Sequence, residues 1–178
     1  MPGLPRRVGC YPGSFDPPTV AHLAIAEAAV RQGGLDRVDL VVSRRALGKE
    51  HLDDDSVARR LVVLDRVVAS RPWLAVTTTD AQLIAEVAAG YDAVILGADK
   101  WRQVIDPAWY GDDPAARDAA VAALPRVLVA PRGHDRPDGV ELLDIDDAHL
   151  HVSSSAVRAG DHSWAVAEAL EGWQRGHQ

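Results

Sequence analysis

The sequence contains one cysteine, Cys10, in 178 residues. An internal disulfide is therefore excluded, and nothing calls for an oxidising compartment. No apolar run approaches the ~20 residues that a bilayer-spanning helix needs. Arg6 and Arg7 are not followed by an apolar stretch of signal length, so the expectation is a soluble cytoplasmic protein. Positive charge is in deficit: 19 basic residues face 26 acidic ones, for a net charge of -7 and a pI of about 5.4. That balance argues against nucleic acid or an anionic membrane as partner. It does not exclude a small anionic substrate, which feels only the charges of its cleft. Lysine is nearly missing, with arginine supplying 17 of the 19 cations. Beside so much alanine and valine, this reads as compositional bias rather than as a phosphate-binding signal. No cysteine or carboxylate cluster suggests a metal held by the protein. His149 and His151 alternate on an expected strand, but no third ligand stands at useful spacing to make them a zinc pair.

What is present is apolar content, 47% of the chain, enough to fold and to exclude disorder. There is no internal repeat and no long linker, so residues 1–178 read as a single domain. Strand patterns alternate with helical ones. Val8–Tyr11, 37–43, 73–79, 91–96 and 127–130 read as strands, and 140–145 and 149–152 could add short ones. Helices are expected over 20–31, 56–70, 80–89, 98–105, 115–124, 153–159 and 161–175, with Gly33-Gly34 stopping the first. Residues 44–55 read as a loop that closes over ligand. The pattern predicts an α/β fold, a Rossmann-like doubly wound parallel sheet of about five strands with helices on both faces. In such sheets ligands bind beyond the carboxyl ends of the strands.

The chemistry-bearing residues follow strands. Gly13-Ser14-Phe15-Asp16-Pro17-Pro18-Thr19-Val20-Ala21-His22 runs from the first strand into the first helix. A glycine turn lets backbone approach a ligand, and a helix N-terminus favours phosphate. Thr19 and His22, three apart, share a face of the first turn. Near the other end, Val152-Ser153-Ser154-Ser155-Ala156-Val157-Arg158 places three hydroxyls and a guanidinium at a helix start. The hydroxyls suit a cap, and with the arginine they also suit an anion pocket. Between them, Leu96-Gly97-Ala98-Asp99 follows a strand, with Trp101 and Trp109 downstream.

These strings resemble the signatures of the nucleotidylyltransferase superfamily: the first its (H/T)-x-G-H motif, the second its Ile-Ser-Ser-Thr-x-x-Arg motif. Gly97-Ala98-Asp99 with a following tryptophan is similar to the nicotinate and nicotinamide mononucleotide adenylyltransferases of NAD synthesis. The resemblance implies in-line attack of an acceptor 5′-phosphate on the α-phosphorus of ATP, with release of pyrophosphate and no covalent intermediate. It implies Thr19, His22 and Arg158 as the catalytic set. Gly13, Ser14, Phe15, Gly97, Asp99, Ser153, Ser154 and Ser155 would bind the nucleotide. Trp109, better placed than Trp101, would stack on the pyridine, with Thr78, Thr79 and Lys49 as further acceptor contacts. Mg²⁺ would arrive with ATP. The expected partners are ATP and a small phosphorylated acceptor, with a homo-oligomer left open.

The sequence also departs from the pattern. Ala21 stands where the motif has glycine. Thr19, and Tyr11-Pro12-Gly13-Ser14-Phe15-Asp16-Pro17, are closer to phosphopantetheine adenylyltransferases. A Pro-x-x-Lys context is missing, leaving Lys49, Arg44 and Arg45 as the nearby cations. Against phosphopantetheine, that family's Arg-Gly-Leu-Arg stretch is absent, and Gly97-Ala98-Asp99 occupies its place. Transfer to phosphopantetheine or another phosphate ester therefore remains the alternative enzyme reading. A non-catalytic nucleotide-binding relative is the alternative from another class. An anionic substrate in an acidic chain requires a locally positive cleft.

Overall fold

The computed structural model describes residues 6–45 and 54–175. The chain alternates β1 (Val8–Pro12), α1 (Val20–Gly33), β2 (Arg37–Ser43), α2 (Asp54–Ala69), β3 (Leu74–Thr79), α3 (Ile84–Val87) and β4 (Ala93–Gly97). It continues through α4 (Ala98–Val104), α5 (Pro114–Ala122), β5 (Arg126–Ala130), β6 (Glu141–Leu142), α6 (Ser154–Arg158) and α7 (Ala167–Arg175). The strands form one parallel sheet in the order β3-β2-β1-β4-β5-β6. The expected doubly wound sheet is therefore present, with six strands among the described residues rather than about five.

Strand residues alternate between two helical layers. Tyr11, Leu40, Ile95 and Leu128 point to the side packed with α1 and α2, each burial contributing about 1.5–3 kcal/mol. Val94 and Leu96 face α4, and Cys10 and Val41 face α3. Asp39 is the polar exception among the buried strand residues. It accepts from Arg37 Nε at 2.7 Å and from the Tyr91 hydroxyl at 3.2 Å. Burial, aided by Asp39, pushes the Cys10 thiol up to about 12, so this cysteine is an inert core residue. Gly34 ends α1 at φ +62°, a left-handed conformation suited to glycine.

Three expectations are corrected. Residues 149–152 are not a strand. A 3-10 turn, Asp147–His149, is capped by the Asp146 carboxylate, which accepts from Ala148 N–H. The expected helix over 80–89 shrinks to the single turn of α3, because Thr79 Oγ1 accepts from Ala81 N–H and Leu83 stays extended. The expected helix over 161–175 breaks at Ala165, which is extended and forms an antiparallel bridge with Thr19. That break ties the last helix to the start of the first. No helix among the described residues is long and apolar enough to cross a membrane.

β1 lies between β2 and β4, the point where strand order reverses. The loop after β1 opens there, where α/β sheets place their ligand crevice.

Candidate active site

A cleft of about 550 Å³ lies at this switch point, a size suited to a small-molecule ligand. The loop from Gly13 to Asp16 forms part of its wall. Gly13 N–H donates to Val41 O at 3.1 Å, anchoring the loop to β2. A side chain at position 13 would meet the Phe15 ring at 2.6 Å, so glycine is required. Phe15 has φ +47° and is nearly fully buried. Its ring sits edge-on to Tyr11 at 5.3 Å and to His22 at 5.0 Å. Burial of that ring holds a backbone conformation that would otherwise be disfavoured.

Thr19 caps α1 and is 1% exposed. Its backbone N–H donates to His22 Nδ1 at 2.9 Å, its Oγ1 lies 3.0 Å from the same nitrogen, and His22 N–H donates back to Oγ1 at 3.4 Å. This is a capping box with histidine in the place usually taken by Glu or Gln. With Nδ1 accepting from an amide, the proton of the neutral ring resides on Nε2. Burial, and then the positive charge of Arg132, lowers the His22 pKa to about 4. Half-buried in the cleft wall, His22 is therefore a neutral N–H donor at physiological pH.

The second signature closes on the first. Ser154 Oγ donates to Pro17 O at 2.8 Å, and Arg158 Nη1 donates to Asp16 O. Arg158 Nη2 also donates to Ser155 Oγ at 3.1 Å, while Ser153 Oγ caps α6 by accepting from Ala156 N–H at 3.1 Å. Cap and pocket are thus not alternatives: Ser153, Ser154, Ser155 and Arg158 do the structural work and still line the cleft.

Other expected residues divide. Gly13, Ser14, Phe15, His22, Gly97, Asp99, Thr79 and Trp109 all line the cleft. Thr19 stands behind His22 rather than in the wall. Trp109 is 37% exposed, whereas Trp101, on α4 itself, packs against the cluster of Val94, Leu96 and Val104 and does not line the cleft. Thr78 is not in the wall; its hydroxyl accepts from Arg44 Nη2 at 2.8 Å, and Arg44 in turn pairs with Asp80. Arg45 does line the cleft. Lys49 lies outside the described residues. Of the two histidines set aside as a zinc pair, His149 lines the cleft and His151 packs against His134, ring centroids 6.5 Å apart.

Sequence reading missed Arg60 and Arg132. Arg132 follows β5 directly, so the after-strand rule could have found it. Arg60, one of three arginines on α2, carried no signal. Among the described residues, Arg45, Arg60, Lys100, Arg132 and Arg158 line the cleft against the carboxylates of Asp16 and Asp99. The cleft is locally positive within a chain of net charge -7.

A parallel sheet with a glycine-containing loop, a neutral imidazole and a cationic wall at its switch point defines the class of α/β protein with a cleft suited to a small anionic ligand. The comparisons narrow that class. Residues 10–160 match the cytidylyltransferase-like family, and the chain belongs to it; it is a nucleotidyltransferase. A probable nicotinate-nucleotide adenylyltransferase of Bordetella pertussis is 30% identical over 92% of this chain and 90% of its own length. A phosphopantetheine adenylyltransferase of Desulforamulus reducens is 39% identical, over 42% of this chain and 43% of its own. Plasmodium falciparum nicotinic acid mononucleotide adenylyltransferase, solved with NaAD, shares the fold at a TM-score of 0.69 and 13% identity, covering 96% of both chains.

Proposed function

We propose that the protein joins ATP to a pyridine mononucleotide, releasing pyrophosphate and forming a dinucleotide in NAD synthesis. The observation that carries this acceptor is Trp109, a part-exposed indole in the wall of a cationic cleft that Gly97 and Asp99 also line. An electron-poor pyridine stacks favourably on such a face. Similarity over most of both chains to proteins named as probable nicotinate-nucleotide adenylyltransferases supports the same reading.

The acceptor phosphate attacks the α-phosphorus in line, and catalysis is positioning and charge stabilisation. His22 donates Nε2–H to an α-phosphoryl oxygen as charge develops, with Thr19 fixing the tautomer. Arg158, with the N-terminus of α6 and its serines, holds the departing pyrophosphate. Gly97 and Asp99 border the nucleoside. Of the two cleft carboxylates, Asp16 is already paired with Arg60. That donor set fits Mg²⁺ carried on nucleotide oxygens better than a cage of side chains. When bound, the ion would neutralise charge on the triphosphate.

Phosphopantetheine remains a second reading on one observation: Tyr11 to Pro17 and Thr19 follow that enzyme's signature, and relatives bearing that name match part of the chain. A pyrophosphate-release assay over nucleoside triphosphates and phosphate acceptors separates the readings. Turnover is expected with ATP and nicotinate or nicotinamide mononucleotide. Turnover with phosphopantetheine alone would replace the acceptor. ATP binding without any turnover would make the chain a sensor.

A further inference from the structure

The signature loop carries a negative charge into an anion cleft. The Asp16 carboxylate is in the cleft wall and 32% exposed. Left alone it would oppose any phosphate that the loop receives, because like charges repel strongly in a partly desolvated site. Arg60 faces it from α2, with Nη2 3.3 Å from Asp16 Oδ2 and its side chain only 11% exposed. The same Nη2 donates weakly to Ser56 Oγ at 3.4 Å, and Nε is buried with no acceptor among the described residues. Hydrogen bonding therefore leaves this guanidinium incompletely satisfied, and a buried unpaired donor is costly. The other arginines of α2, Arg59 and Arg66, lie exposed. Asp16 is thus gripped twice: Arg158 takes its carbonyl and Arg60 its carboxylate.

We propose that Arg60 is a positioning residue of the phosphate site, neutralising Asp16 so that the loop after β1 admits a polyphosphate. Arg60 acts through Asp16 and makes no contact with the phosphate itself. The inference rests on placing the nucleotide phosphates in this cleft, as above, but not on the identity of the acceptor.

The test is calorimetric titration of pyrophosphate, in Mg²⁺ buffer, into the intact protein and four variants. Charge balance sets the order. Arg60→Gln exposes the carboxylate and should weaken binding tenfold or more. Asp16→Asn leaves the cation uncompensated and should tighten binding at least threefold, a gain that structural damage does not produce. The double variant restores neutrality and should bind within threefold of the parent, as should Arg60→Lys, which keeps the charge. Thermal melts establish which variants are folded. If Arg60→Gln does not fold, the gain from Asp16→Asn decides: unchanged or weaker binding there overturns the proposal. A double variant as weak as Arg60→Gln would also overturn it, because Arg60 would then be holding phosphate directly. A parent that binds no pyrophosphate would instead refute the placement of phosphates in the cleft, and the inference with it.

Discussion

His22 serves two purposes that one substitution removes and another separates. Its Nδ1 accepts the buried N-cap amide of Thr19, and the residue lines the cleft with Nε2 left to carry the ring proton. His22→Ala deletes both. Stranding the Thr19 amide costs roughly 1–3 kcal/mol, which for a protein of this size lowers Tm by about 3–10 °C. Loss of a donor to developing charge costs about 10²–10³ in kcat. His22→Gln keeps the first purpose, since glutamine at this position completes a Thr-x-x-Gln capping box. Its amide oxygen is then committed to Thr19, leaving no imidazole N–H for the phosphoryl group. The glutamine variant should melt within about 2 °C of the parent, on the scale of half a kcal/mol. Its kcat should nevertheless fall about a hundredfold or more, with little change in KM for ATP. Differential scanning fluorimetry and initial rates of pyrophosphate release measure the two effects. A glutamine variant as unstable as the alanine one would refute the capping role. One with kcat within threefold of the parent would remove the imidazole from the chemistry.

The remaining expectations are shorter. The His22 value of about 4 lies below the ordinary 6.5, so the unfolded chain binds that proton first as pH falls. Stability is unaffected by this group above pH 6.5 and declines between pH 6.5 and 4, by up to about 3 kcal/mol in total. Urea titrations should show a shallower decline across that window in His22→Gln. Trp109→Ala should raise KM for a pyridine acceptor roughly tenfold while leaving KM for ATP unchanged, and equal effects on both substrates would contradict stacking. Thr78→Val should change acceptor KM less than about twofold, because only an exposed bond to Arg44 is lost. Chelation by EDTA should stop turnover without shifting Tm in the absence of nucleotide, whereas a fall in Tm would reveal an ion held by the protein itself.

The two ends of the site were legible in the sequence because their residues are contiguous and follow strands. Gly13 to His22 and Ser153 to Arg158 each lie within one turn region, so spacing alone brings their side chains together. Their direct contact, Ser154 and Arg158 to the carbonyls of Pro17 and Asp16, was not legible, since it depends on how α6 returns to the sheet. Arg60 was invisible for the same reason: its partner is 44 positions away, and a helix with three arginines does not say which faces inward. Thr78 and Thr79 show the limit of a strand reading. Adjacent residues on β3 point opposite ways, so only one of them could reach the cleft. The overlong expectation for α3 arose from helix-forming composition, overridden by the Thr79 side chain capping an extended segment.

Adenylylation of a pyridine mononucleotide in this cleft can be read directly from its products. The most direct test is a competition, with ATP, Mg²⁺ and equimolar nicotinate mononucleotide, nicotinamide mononucleotide and phosphopantetheine incubated with the protein and the products read by mass spectrometry. A pyridine dinucleotide is expected as the dominant early product. Accumulation of dephospho-coenzyme A with no dinucleotide would contradict it.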